Sequence, residues 1–102
     1  VRIIKEAFVK DASILYPKAA KFLVAWRKIV RLAQWHSLQD VRKTYASADA
    51  VTVKSKRTVT VFNVCGNDYR LIVAIHYKTQ IIYMLRFLTH AEYNKDKWKN
   101  EL

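Results

Sequence analysis

The chain has 102 residues, about half of them hydrophobic and a quarter charged, which predicts one globular domain over residues 1–102 rather than a disordered segment. One Gly, one Pro and one Cys exclude Gly-loop nucleotide sites, a disulfide framework and Cys-based zinc sites. Nineteen Lys and Arg against eight Asp and Glu leave a net charge of +11, which attracts polyanions such as nucleic acid, an anionic membrane face or an acidic protein.

Taken in chain order, Ile4, Ala7, Phe8, Ala12 and Leu15 have helical spacing, so a first helix is expected over residues 3–16. Pro17 closes that segment and suits the first turn of a second helix. From there to about Gln34, Ala19, Phe22, Leu23, Trp26, Ile29, Val30 and Ala33 form one apolar stripe, with Lys18, Lys21, Arg27, Lys28 and Arg31 opposite. Residues 35–50 read as a connector holding a short helix from Leu38 to Tyr45, capped by Ser37 with Asp40 three residues on. The period then changes to two. Thr58–Val64, Tyr69–Tyr77 and Ile81–Leu88 read as strands joined by hairpin-length linkers, hence an antiparallel meander. Thr89-His90-Ala91-Glu92 has capping-box spacing and opens a short C-terminal helix. Helices followed by a meander predict an α+β fold with two N-terminal helices packed on an antiparallel sheet. The first twenty residues carry Lys5, Glu6, Lys10, Asp11 and Lys18, so no signal-peptide core interrupts this reading. With a lone thiol and no long apolar run, a cytoplasmic protein without membrane contact is expected.

The charge is unevenly spread. Residues 1–45 hold ten basic and three acidic residues, and no acid stands between Lys18 and Gln39. A surface shaped only for solubility mixes signs, so polyanion binding is favoured over a merely solvated helix face. Lys54-Ser55-Lys56-Arg57 forms a second cluster ahead of a strand, readable as a phosphate clamp or as a charged hairpin tip guarding a sheet edge. Asn67 beside Gly66 is ordinary turn chemistry. Arg70 alternates with Leu71, Val73 and Ile75 and therefore lies on the opposite face of its strand, where rigid mounting suits a phosphoryl site. His36 reads as a surface residue and His76 as structural; His90 has the better claim, with Tyr93 one helical turn later. The histidines lie far apart with no carboxylate or Cys cluster, so no metal site is expected. Trp26, Trp35 and Trp98 read as packing anchors rather than base-stacking platforms.

Val61-Phe62-Asn63-Val64-Cys65-Gly66-Asn67-Asp68-Tyr69-Arg70-Leu71 resembles the VFN-x-x-GN-x-(Y)R signature of HigB-type toxins, and Thr89-His90-Ala91-Glu92-Tyr93-Asn94-Lys95 resembles their THxEYD segment. Upstream, Trp26, the Ala-x-Trp at residues 33–35 and the stretch from Val41 to Asp49 look like the second helix and connector of that family. The resemblance implies a RelE-like fold and a type II toxin that cuts mRNA on the translating ribosome and inhibits translation. It also implies inhibition by a HigA-type helix-turn-helix antitoxin, in a complex that binds its own operator DNA. It implies no cofactor. Carried over residue by residue, the catalytic candidates are Asn67, Arg70, His90 and Tyr93, with Lys54, Lys56, Arg57 and Lys95 as RNA contacts. Two departures stand out. Asn94 occupies the place of the family's Asp, and Arg86 lies one place later than the Arg of many relatives. A shift by one flips the face of a strand, so Arg86 is not expected to stand in for that Arg. Without the resemblance, a non-catalytic basic module that grips RNA or ribosome is the competing class. A DNA-binding repressor is disfavoured, because no second helix follows at helix-turn-helix spacing.

Overall fold

The computed structural model describes residues 1–102, apart from the side chain of Glu6. Its elements are β1 (Arg2–Ile4), α1 (Glu6–Leu15), α2 (Pro17–Leu32), α3 (Leu38–Thr44), β2 (Asp49–Thr52), β3 (Thr58–Val64), β4 (Tyr69–His76), β5 (Ile81–Thr89), α4 (His90–Asn94) and α5 (Lys97–Glu101). The strands form one mixed sheet in the order β1-β5-β4-β3-β2. The β3-β4-β5 meander is antiparallel as expected, and β2 adds to it antiparallel. β1 pairs parallel with β5, which corrects both the wholly antiparallel sheet and the helix expected from Ile3. The β5 edge would otherwise leave its backbone groups unpaired, and Arg2–Ile4 satisfies them. Lys5, at φ 66°, then turns the chain from strand into helix. β2 was unforeseen because its four residues are mostly exposed, so no alternation marks them.

The expected helical stripe packs on one face of the sheet. Ala19, Leu23, Trp26 and Val30 of α2 are buried, together with Val9 and Ala12 of α1, against Phe62, Val64, Leu71, Val73, Ile82 and Met84. Ile29, at the margin of the stripe, stays exposed. Phe62 is the hub of this layer. Its ring lies 5.6 Å from Trp26 and 5.4 Å from Tyr45, both edge-on, and 6.3 Å from Trp35 in a stacked pose. Such pairs add to the area that the rings bury. The other face of the sheet carries a second apolar cluster, formed by Val53, Val59, Val61 and Ile72 under Trp98 of α5. Burial on both faces is why β3 and β4 are apolar at most positions. Among the described residues no helix is long and apolar enough to cross a membrane.

α3 begins as its sequence dictates, with the Ser37 hydroxyl accepting from the Asp40 N–H. The Asp40 carboxylate accepts from the His36 N–H and faces the Lys43 ammonium. That backbone N–H first, and then the Lys43 charge, hold the Asp40 carboxyl below the usual carboxylate range.

Two outcomes follow from this packing. Phe62→Ala empties the hub of the helix layer and is expected to cost about 3–5 kcal/mol in urea unfolding; a loss under about 1 kcal/mol would show that the cluster is not the core. Asp40→Asn keeps the shape but removes the charge. A group whose folded pKa is depressed stabilises above its unfolded value and loses that contribution as pH falls through the folded one. Thermal melts should therefore place the Asn variant below the parent at neutral pH, with the gap closing in acid. A gap that is constant with pH would remove the carboxylate from this account.

Candidate active site

The central feature is a cation that the pleat of β4 forces onto the second sheet face. Leu71 and Val73 point into the helix layer, so Arg70 and Ile72 point the other way. Arg70 sits opposite Asn63 of β3 and Leu88 of β5 and is only 8 % exposed. Its guanidinium donates to the Tyr69 carbonyl at 3.1 Å and to Asn67 Oδ1 at 3.3 Å. Among the described residues no carboxylate forms an ion pair with it. A nearly buried, fixed positive charge held only by neutral dipoles leaves the rest of its five-donor fork for an anion.

Asn67 is delivered by the turn between β3 and β4. Cys65 (φ 53°) and Gly66 (φ 68°) both take left-handed backbone conformations, which bring Asn67 back beside the start of β4. Asp68 of the same turn ion-pairs with Lys18 at the start of α2, which ties the turn to the helix layer and pushes the Lys18 ammonium above its usual value. On the other side the His90 N–H donates to the Asp68 carbonyl at 3.0 Å, which joins the turn to α4.

α4 begins with the expected capping box. The Thr89 hydroxyl accepts from the Glu92 N–H and the Glu92 carboxylate accepts from the Thr89 N–H. His90 is thereby fixed as the first helical residue. Its Nε2 lies 3.1 Å from the amide nitrogen of Asn94, one turn on. The residue that departs from the family pattern thus touches the candidate histidine directly. Tyr93 projects over the Arg70 guanidinium, 5.4 Å from carbon to ring centroid. Trp98 also stacks with Tyr93, at 5.2 Å with 18° between planes, and its indole N–H donates to the Tyr93 carbonyl. Tyr93 therefore contacts both Arg70 and Trp98.

The candidates divide into two groups. Asn67 and Tyr93 meet Arg70 at one end of the second sheet face, and His90 stands at the start of α4, joined to the Asn67 turn through its backbone N–H. Lys95 follows α4 and lines, with Lys97, Glu92 and Glu101, a groove of about 230 Å³ beside Leu88 and Trp98. Lys54, Lys56 and Arg57 are not part of the cluster. They occupy the tip of the β2–β3 hairpin, which is held to the C-terminal segment by the Lys54 N–H to the Lys99 carbonyl and the Ser55 hydroxyl to the Leu102 carbonyl. The length of β3, seven residues, separates that tip from Asn63, or roughly 20 Å at strand rise.

Two residues near the cluster were not anticipated there. Arg86 is the correction. The register passes from Ile72 opposite Arg86 to Val73 opposite Met84, so Leu85 is an extra residue in β5. This bulge cancels the one-place shift and puts Arg86 on the same face as Arg70, where it reaches Glu101 at 3.9 Å. No strand alternation marks a bulge in advance. Trp98 is a packing anchor as expected, but what it anchors includes the ring of Tyr93. The one available signal was its aromatic spacing, five residues after Tyr93.

Among the described residues no three His, Cys, Asp or Glu side chains are grouped so as to hold a metal ion. Residues 19–96 match the family model of HigB toxins, the RelE-like toxic component of a toxin–antitoxin system. The chain belongs to the HigB toxin family. The mRNA interferase toxin HigB of Escherichia coli K12 is 27 % identical over 94 residues, covering 92 % of this chain and 88 % of that protein. Proteins named mRNA interferase HigB from Escherichia coli O157:H7 and Shigella flexneri match to the same extent. In this HigB-family chain Asn67, Arg70, His90 and Tyr93 all fall inside the matched segment. Trp98 lies two residues beyond it.

Replacing Trp98 should be felt through α5. Trp98→Ala is expected to lose about 3–5 kcal/mol in urea unfolding, and Trp98→Phe, which keeps a ring on Tyr93 but loses the N–H, about 1–2 kcal/mol. An alanine variant as stable as the parent would mean that α5 is not docked in solution.

Proposed function

We propose that this HigB-family chain is an endoribonuclease, an mRNA interferase that cleaves messenger on the ribosome and thereby arrests growth. The observation that carries this reading is Arg70: nearly buried, mounted on a strand, without a carboxylate partner among the described residues, and in contact with the Tyr93 ring. RNA supplies its own nucleophile, the ribose 2′-OH, so the protein needs to align it, transfer protons and stabilise charge on the pentavalent phosphorane. In this chemistry the 2′-oxygen bonds to phosphorus, the bond to the 5′-oxygen breaks, and a 2′,3′-cyclic phosphate is left. The Arg70 fork meets the non-bridging oxygens as their negative charge grows. Asn67 holds that fork in place. His90 and Tyr93 are the groups that take the proton from the 2′-OH and return one to the leaving 5′-oxygen. No metal is required by this scheme.

Lys95 lies beside the cluster and serves as a nearby phosphate contact. Lys54, Lys56 and Arg57 meet RNA only several nucleotides away from the scissile phosphate, because they stand at the far end of β3. The partner is a HigA-type helix-turn-helix antitoxin with which the toxin forms an operator-binding complex, and the setting is the bacterial cytoplasm. Family membership supports the antitoxin; the names of the relatives support the RNA substrate.

The test separates charge from geometry. Arg70→Lys keeps the positive charge but loses the planar fork that spans two phosphate oxygens. Single-turnover cleavage on programmed ribosomes should fall roughly 10²–10³-fold while thermal melts remain close to the parent. A folded Lys variant that cuts at the parent rate would remove Arg70 from the chemistry. A 2′-deoxy substitution at the cleaved nucleotide should abolish cutting, and cutting that persists would point to water as nucleophile. RNA binding by the parent chain without any cleavage would favour the non-catalytic module instead.

A further inference from the structure

The second sheet face continues beyond the Arg70 cluster. At the opposite end of the same face lies a cavity of about 290 Å³ with Val59, Ala74 and Leu85 among its lining. Tyr83 and His76 stand beside one another in it, their rings edge to face at 5.1 Å. Exposed Lys5, at the turn after β1, and exposed Arg57, at the start of β3, also line it. Neither the family motifs nor the catalytic reading uses Tyr83, His76 or Lys5.

We propose that this cavity is a second nucleotide subsite, which takes an unpaired base and its phosphate from the same RNA strand that is cut at Arg70. Three observations carry the proposal, which rests on the chain acting on RNA. The lining has the composition of a single-strand site: aliphatic floor, a partly exposed tyrosine as stacking surface, and two cations for the backbone. Its polarity suits a strand of alternating apolar bases and anionic phosphates better than an anionic peptide helix, since the cations flank one small cavity instead of following a long groove. The cavity also lies on the same sheet face as the Arg70 site. Ala74, paired with Tyr83, lies four residues along β4 from Arg70, or ~13 Å at strand rise. Between them the bulge at Leu85 turns Arg86 onto this face, as a third cation on the path. The Glu101 carboxylate, 3.9 Å away and exposed, holds Arg86 only loosely, so a phosphate can replace it. Leu85 keeps the face that alternation from Tyr83 gives it and lines the cavity, while the bulge brings Arg86 onto that face beside it.

Tyr83 thus positions the strand by stacking, with no part in bond breaking. The test uses the full chain and a short single-stranded RNA whose riboses are all 2′-O-methylated, so that binding is read with the nucleophile blocked. By fluorescence anisotropy, Tyr83→Ala should weaken binding roughly tenfold, with Tyr83→Phe near the parent, because the ring and not its hydroxyl stacks. Lys5→Gln and Arg57→Gln should each lower the slope of log K against log salt by about 0.7. Lys78→Gln, in the turn outside the cavity, should change neither affinity nor the effect of Tyr83→Ala. On unmodified RNA at subsaturating concentration, Tyr83→Ala should raise KM and leave kcat largely intact, whereas a folding defect would lower the active fraction and hence kcat. Parent-like affinity in Tyr83→Ala with parent-like slopes in both cation variants would overturn the subsite and leave the Arg70 chemistry standing. Variants that bind RNA normally but lose affinity for the antitoxin would overturn it in favour of a protein contact. A parent chain that neither binds nor cuts RNA would overturn the functional reading and the subsite together.

Discussion

The structure depends on the two-residue period of β4. Leu71 and Val73 must enter the helix layer, where they are fully buried against α2 and Phe62, and a strand cannot bury two successive side chains on one face. Arg70 is therefore committed to the second face by its neighbours. There it meets a surface that α4 and α5 have already covered with Tyr93 and Trp98, so its charge is withdrawn from water without being neutralised. A positive charge in such surroundings acts more strongly on an incoming anion than the same charge on an open surface, because less solvent screens it. The helix layer, remote from the site, thus decides which way the site's principal charge points.

The same arrangement limits motion. The turn that carries Asn67 is held from both sides, by Lys18 through the Asp68 carboxylate and by His90 through the Asp68 carbonyl. One residue links the start of α2, the turn and the start of α4, so three separate segments share one reference point. The Lys18 pair is exposed and contributes little to stability by itself. Its effect lies in orientation. By contrast, the hairpin tip with Lys54, Lys56 and Arg57 is tethered only to the C-terminal segment and stands a strand's length away. The charges of Lys54 and Lys56 act on a polyanion over about a Debye length, where the placement of each side chain matters little.

The bulge at Leu85 shows how one backbone irregularity can overturn a correct rule. Counting alternate residues along β5 puts Arg86 on the helix side. An extra residue opposite Ile72 resets the count, and Met84, Leu85 and Arg86 then divide between the faces in a way that strict alternation forbids. Bulges depend on how a strand must bend to satisfy both neighbours, here β4 on one side and the parallel β1 on the other. That demand is not local to the residues that form the bulge.

The sequence by itself determined the helices of the first layer, the β3-β4-β5 meander, the Ser37 and Thr89 caps and the face of Arg70. Each is a local matter of period, capping oxygen or turn length, written within a dozen residues. It also determined, through paired motifs, the family, and it offered Asn67, Arg70, His90 and Tyr93 as the candidates. Tertiary structure alone decided what required distant partners. β1 exists because β5 offers it an edge, although Ile3 and Ile4 also fit a helical count. β2 exists because β3 pairs with it, since its own exposed residues carry no pattern. Arg86 joined the Arg70 face, Lys54, Lys56 and Arg57 were separated from it, and Trp98 came to back Tyr93, each through contacts between segments far apart in the chain. Such contacts follow from which surfaces remain to be buried once the local elements have formed, and no local pattern records that remainder.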